Sequence, residues 1–359
     1  LILIGTYNPK NRSGFYAGTF NNNTQPTTHE FFMFAKLYRF YFAALMCLPP
    51  CHKLFLSLVL NRTWGAGLFL LYFSCWHHTA QATPAPYSFA NTSVQTLKAR
   101  QGELSHELII TLPDSYSKEP NKRYPVLYYL DAYWDFPLVY ATYGNLRYDK
   151  AIPEVILVGL SIAGDGYGAY RTRYFSIFSD PQKKTPTGQA SQLYQHLTQD
   201  IIPSIDAQFR TLAQPTGRVL AGQSMGGLFT LYGLLQKSTP FSRFIAVNPA
   251  VAGSEAQLAQ LEAARAEKSL NARLFISHSS RKYGPFAEPI ISYQQRLIAR
   301  QYPGLALSTQ ELSGMGHTGG KGEAYAKGLL WALQDLAPNE KSSLQVDMEA
   351  EHKARQATN

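Results

Sequence analysis

Cysteine is scarce in this 359-residue chain, and all three, Cys47, Cys51 and Cys75, fall near its beginning. The residues that follow can rely on no disulfide and can use no thiol nucleophile. H-E-x-x-H does not occur, and the lone Gly164-Asp-Gly-Tyr-Gly168 lacks the strand and helix that frame a nucleotide loop. No metal and no organic cofactor is therefore expected. Charge is modest too, at 16% of residues, and no basic stripe is interleaved with aromatics. The formal net charge of +9 shrinks once the residues before Thr83, which hold six Lys or Arg and one acid, are set aside. A mild excess of that kind excludes nucleic acid as an expected partner.

Long apolar runs are missing as well. Gly65–Trp76 is apolar for about twelve residues, against the roughly twenty that a spanning helix needs. Lys53 and Arg62 precede it and Ala80-Gln81-Ala82 follows, the pattern of a signal peptide with its cleavage site. Cys75 is not read as a lipid anchor, because Phe73 stands where a small residue is needed. Residues 1–82 are accordingly read as an extension, upstream of a start at Met33 or Met46, plus a signal peptide. Residues 83–336 form the catalytic domain, and 337–359 a charged tail expected to be disordered. The expected location is periplasmic or secreted, with no stable membrane anchor after cleavage.

What is present from Ser93 onward is an alternation of short β-rich runs with longer helical patterns, the mark of a mostly parallel sheet covered on both faces. Eight strands are expected, in SVQTLKA, HELIITLP, YPVLYYLDA, EVILVGL, RVLAGQ, FIAVNPA, RLFISHS and LSTQEL. The first two, joined through Gly102, read as an antiparallel hairpin. Helices are expected over Ser191–Phe209 and in GGLFTLYGLLQK, EAQLAQLEAARAEK, PIISYQQRLIARQ and EAYAKGLLWALQDL.

Gly222-Gln-Ser-Met-Gly226 lies between an expected strand and an expected helix. That is the setting of the G-x-S-x-G turn, in which a serine is held in strained backbone angles between residues too small to obstruct it. Ser224 is the expected nucleophile. A hydroxyl attacks only when a base removes its proton, and His317, in a glycine-rich loop after the last strand, has the position for that role. The other histidines after Thr83 do not: His106 opens a strand, His196 lies on a helix, His278 ends a strand and His352 is in the tail.

The acid that would orient His317 is harder to find. It should follow RLFISHS, yet the next residues read SSRKYGPF, with no carboxylate before Glu288. Glu288 is the leading candidate, with Glu255 and Glu311 as local alternatives. A serine–histidine pair, oriented by a backbone carbonyl, Ser279 or Ser280, is the other reading, since loss of the acid lowers the rate without abolishing the chemistry. For the oxyanion hole, the Met225 N–H is expected to act with that of Ala132 or Tyr133. Trp134 and Phe136, with Tyr133, are candidate pocket walls.

Taken together, YPVLYYLDAYWDF, PEVILVGL, Arg171-Thr-Arg173, GQSMGGLFTLYGLL and GHTGG resemble the esterase family of α/β-hydrolases that holds esterase D-like carboxylesterases, feruloyl esterases, siderophore esterases and mycolyltransferases. The resemblance covers Ser93 to Leu336. It implies an α/β-hydrolase fold with Ser224 as nucleophile, His317 as base and oxyanion donors at Met225 and near Ala132. Three departures stand out: Ala132 where relatives often carry glycine, Ser279 to Lys282 where they carry a carboxylate, and Tyr174 where an acid accompanies the second arginine. For the arginine pair, a salt-bridged anchor of the loop is preferred to recognition of an anionic substrate. The expected activity is hydrolysis of carboxylic esters through an acyl-enzyme, on a small-molecule ester such as a siderophore lactone or an aromatic ester. Acyl transfer to an alcohol, or ligand binding without catalysis, are the alternatives.

Overall fold

The computed structural model describes residues 87–162, 166–265, 269–280 and 286–357. The Gly65–Trp76 segment, the Ala80–Ala82 site and the three cysteines lie outside the described residues. All eight expected strands are present, as β1 (Thr92–Lys98), β2 (Ser105–Thr111), β3 (Val126–Tyr129), β4 (Ile156–Ser161), β5 (Arg218–Gln223), β6 (Arg243–Val247), β7 (Ala272–Ser279) and β8 (Leu305–Leu312). They form one sheet in the order β1-β2-β4-β3-β5-β6-β7-β8. β1 pairs antiparallel with β2 and β2 antiparallel with β4, while every other pairing is parallel. This is the α/β-hydrolase architecture.

Side chains on a strand point alternately to opposite faces, and the core divides accordingly. Val126 and Tyr128 of β3, Leu220 of β5 and Phe244 and Ala246 of β6 pack in one apolar cluster. Their neighbours Leu127, Tyr129, Val219, Ala221, Ile245 and Val247 pack in a second. Because both faces are covered, the central strands read as unbroken apolar runs.

The helices that cover them are α1 (Ala132–Tyr148), α2 (Tyr167–Tyr174), α3 (Ala190–His196), α4 (Ile202–Gln208), α5 (Met225–Leu234), α6 (Glu255–Ala263), α7 (Ala287–Arg300), α8 (Lys321–Leu333) and α9 (Ser343–Ala357). α1 and α8 cover the second cluster, and α3 to α7 the first. No helix among the described residues is long and apolar enough to cross a membrane.

Three helices were not expected. α1 buries Ala132, Asp135, Phe136, Val139 and Tyr143, a helical spacing that Pro137 inside it and aromatic residues on its other faces conceal. α2 lies in the stretch between β4 and α3 that reads as loop. The tail expected to be disordered carries α9, which begins in a capping box: Gln345 N–H donates to Ser342 Oγ (3.2 Å) and Ser342 N–H to Gln345 Oε1 (2.9 Å).

The expected helix over Ser191–Phe209 is interrupted by one π turn, Leu197–Ile201, between α3 and α4. Pro203 has no N–H to give the Gln199 carbonyl four residues back. The Arg100 guanidinium donates to that carbonyl instead.

Candidate active site

In a parallel sheet the crevice lies beyond the carboxyl ends of the strands, where the chain leaves one strand in opposite directions. Here that strand is β3, flanked by β4 and β5. Asp131 and Ala132 follow β3, Ser224 follows β5, Asn248 follows β6 and His317 follows β8, so the topology collects the chemistry-bearing loops at one end of the sheet.

Ser224 has φ 59° and ψ −116°, angles outside the ordinary regions for a side-chain-bearing residue. Such a conformation costs on the order of 1–3 kcal/mol and persists only when its surroundings impose it. They do so from both sides: Ser224 N–H donates to Val247 O (2.9 Å), and Ser224 O accepts from Leu228 N–H (2.9 Å) and Ala250 N–H (2.8 Å). The flanking glycines are required by packing. A Cβ on Gly222 would meet the backbone C and O of Gly226 at 2.5 Å, and one on Gly227 would meet Pro249 Cα at 2.9 Å. Gly222→Ala is therefore expected to destabilise the fold by about 1–3 kcal/mol, read as a lowered urea midpoint with an unchanged slope.

Met225 and Ala132 are the first residues of α5 and α1. Their N–H groups have no carbonyl four residues back within their own helices and lie at the positive ends of two dipoles. The two ends abut, since a Cβ on Gly226 would lie 3.3 Å from Asp131 Oδ2 and 3.4 Å from Leu130 Cβ. Tyr133, in the first turn of α1, is 71% exposed and its ring stands 5.8 Å from that of Tyr167. Trp134 is also exposed, whereas Phe136 is buried against Phe89 and Tyr140 and is core.

Asp131, at φ 61°, turns the chain from β3 into α1. Its buried carboxylate receives Arg171 Nε at 2.9 Å and an Arg171 terminal nitrogen at 3.0 Å, together with the Tyr167 hydroxyl. The same guanidinium reaches Gln223 O at 3.4 Å. Arg171 is thus a loop anchor, its fork bridging the residue before Ala132 and the residue before Ser224. Its partner was not legible in the sequence, lying 40 residues away on another element.

His317 is held through its backbone. Its carbonyl accepts from Gln223 Nε2 at 3.2 Å and from Asn248 Nδ2 at 3.0 Å. Ser280 N–H bonds Met315 O at 3.0 Å, which fastens the base loop to the end of β7. The imidazole lies against Phe286, ring centroids 4.9 Å apart and 30° from parallel. Its Nδ1 is buried without a hydrogen-bond partner among the described residues.

Among the described residues no hydrogen bond or ion pair joins Glu288 to the imidazole, and the charges felt by the ring are those of Arg171 and Lys321. Glu288 is exposed in the first turn of α7, where an acid complements the helix dipole. Glu255 and Glu311 are exposed as well. Glu288→Gln is expected to leave kcat/KM within about twofold of the parent, as surface substitutions away from reacting groups do; an ester-hydrolysis assay checks this.

Burial first, and then the positive charges of Arg171 and Lys321, hold the His317 pKa below the ordinary imidazole value of 6.5. The neutral ring, the form that accepts a proton, therefore persists to lower pH than in a free imidazole. Where His317 is the base, the acid limb of the kcat/KM profile falls below pH 6.5; a limb above that value would contradict the assignment.

Lys321 opens α8 and forms a buried ion pair with Asp135 of α1, to which the Tyr325 hydroxyl also donates at 3.3 Å. This pair joins the helix that carries Ala132 to the helix that follows the His317 loop. Among the described residues no group of three or more His, Cys, Asp or Glu is arranged to hold a metal ion. A cavity of about 440 Å³ lined by Arg100, Leu104, Gln195, His196 and Asp200 opens beside the β1–β2 turn, and none of the residues named above for the site lines it.

Known proteins are similar in sequence and shape. Residues 103–298 match the family model described as "Putative esterase". The ferri-bacillibactin esterase BesA of Bacillus subtilis (strain 168) is 24% identical over 187 residues, a match spanning 48% of this chain and 63% of that protein's length. An IroE-like serine hydrolase from Shewanella oneidensis superposes with a TM-score of 0.60 at 20% identity, covering 69% of this chain and 82% of the other. The siderophore hydrolase EstA from Aspergillus nidulans gives 0.58 at 16% identity, covering 71% and 100%.

Proposed function

The chain belongs to this esterase family of the α/β-hydrolase superfamily, and from that premise we propose that it hydrolyses carboxylic esters through an acyl-enzyme on Ser224. One observation carries the reading: a serine at φ 59° and ψ −116° sits at a strand-to-helix turn, and the preceding residue is bonded to the backbone of His317 at 3.2 Å. Strain of this kind has no packing benefit of its own and is found where a hydroxyl must be presented.

In this reading the His317 imidazole, neutral at physiological pH, takes the proton as Ser224 Oγ attacks the ester carbonyl. The N–H groups of Met225 and Ala132 receive the negative charge that develops on the carbonyl oxygen. The tetrahedral adduct collapses, His317 gives its proton to the departing alcohol, and water deprotonated by the same ring releases the acid. No carboxylate takes part. The pair works because oxyanion stabilisation and the base supply most of the rate, while a triad acid mainly fixes the ring.

The substrate class proposed is a siderophore-type ester, after the name of EstA, a siderophore hydrolase, alongside that of BesA, a ferri-bacillibactin esterase. Exposed Tyr133, Trp134 and Phe286 offer apolar faces against which an aromatic acyl group can stack. On the strength of the Gly65–Trp76 segment and the Ala80–Ala82 site, the reaction is placed in the periplasm or outside the cell.

A substrate panel tests the proposal: p-nitrophenyl acetate and butyrate, methyl ferulate, and a catecholate trilactone with and without iron. The reading expects turnover of the activated esters and highest kcat/KM on the trilactone. Equal rates for the trilactone and simple acyl esters overturn the substrate class, and no turnover of any of them overturns the activity.

A further inference from the structure

Among the described residues His317 Nδ1 has no hydrogen-bond partner, so the alignment of His317 with Ser224 is sought in the contacts of its backbone. The turn after β6 touches both. Val247 O accepts from Ser224 N–H at 2.9 Å, and Ala250 N–H donates to Ser224 O at 2.8 Å, so the turn grips the nucleophile's backbone at both ends. Between these two contacts stands Asn248, whose Nδ2 donates to His317 O at 3.0 Å. The turn is itself fixed, because Asn248 N–H donates to Ser277 O (3.1 Å) and Ser277 Oγ (3.2 Å) on β7.

Two features of Asn248 have no account in packing. It adopts φ 43°, a region that costs a side-chain-bearing residue free energy and that asparagine tolerates better than most. It is also wholly buried, and among the described residues its Oδ1 has no hydrogen-bond partner. An orphaned buried acceptor is unfavourable, because the water it gives up is not replaced by a partner. The site satisfies only the donor of this amide among the described residues, and that donor faces the carbonyl of the base.

We infer that Asn248, seconded by Gln223, is the positioning residue of the catalytic pair: it references the His317 backbone to the same turn that holds Ser224, and so takes over the alignment that a triad carboxylate would give. Phe286 completes the arrangement by fixing the plane of the ring. The inference rests on the serine–histidine reading above and names no contact between Asn248 and substrate.

Asn248→Asp keeps the shape and tolerates the backbone angle while replacing the donor by an acceptor that faces a carbonyl. Gln223→Met keeps the length and removes the second donor. On p-nitrophenyl butyrate each is expected to lower kcat about tenfold, and the two together roughly 100-fold, the cost of an ångström-scale misplacement. KM stays within about twofold, since the substrate is not touched. In a His317→Ala background neither substitution lowers the residual rate further, because the group being positioned is gone.

Full kcat in the double variant overturns the inference, and so does the same fractional loss in the His317→Ala background, which would mark a general structural role. If Asn248→Asp lowers the melting temperature too far to assay, Gln223→Met alone decides by the same two readouts. Failure of the underlying reading is distinguishable: His317→Ala then turns over at the parent rate, and the positioning inference falls with it.

Discussion

Ser224→Ala is expected to lower kcat by about five to six orders of magnitude while leaving KM and the folded state near those of the parent. The substitution removes one oxygen. Ala inherits the same φ of 59° with no greater steric demand, and the backbone bonds to Val247, Leu228 and Ala250 do not involve the side chain. What disappears is the atom that becomes acylated. The residual rate is that of water attacking an ester held against the two helix N-termini, which in hydrolases of this type still exceeds the uncatalysed reaction by about three to four orders. Unchanged KM is part of the expectation, because a nucleophile contributes bonding in the transition state more than in the ground state. The measurement is steady-state hydrolysis of p-nitrophenyl butyrate by parent and variant, with melting temperature as the control for folding.

His317→Ala is expected to have an effect of the same size, since nucleophile and base act as a unit and losing either loses both. Its pH signature is different. In the parent, the acid limb reports protonation of a ring whose pKa is held down by burial and by Arg171 and Lys321. Without the ring that limb vanishes, and the residual rate rises with hydroxide across the neutral range. The variant also empties the space against Phe286, so added imidazole is expected to restore part of the rate. A variant that keeps the parent's acid limb would assign the titration to another group.

Much of this site was legible in the sequence because its requirements are local. The G-x-S-x-G spacing reports a turn so tight that a Cβ on Gly222 would overlap Gly226 four residues later, and such short-range demands are written in adjacent residues. Order along the chain selected His317, and the lack of a carboxylate after β7 was visible as a gap. What fills the gap was not visible. Gln223 and Asn248 reach His317 across 94 and 69 residues, and an amide at a strand end carries no mark of its partner. α1 escaped for another reason: Pro137 and aromatics outside its buried stripe blur the helical period, although packing against α8 settles the helix once the sheet exists. Arg171 stood out as half of an ion pair, but only the fold shows that Asp131 is the other half.

The central claim is that the Ser224 hydroxyl is activated by His317 and not merely present in a glycine-rich bend. Reaction of the purified protein with a fluorophosphonate, followed by peptide mass mapping, tests it in one step. The account predicts a single adduct, on the peptide containing Ser224, formed rapidly in the parent and very slowly in His317→Ala. Failure of the parent to form an adduct, or labelling at Ser224 that proceeds equally fast without His317, would contradict it.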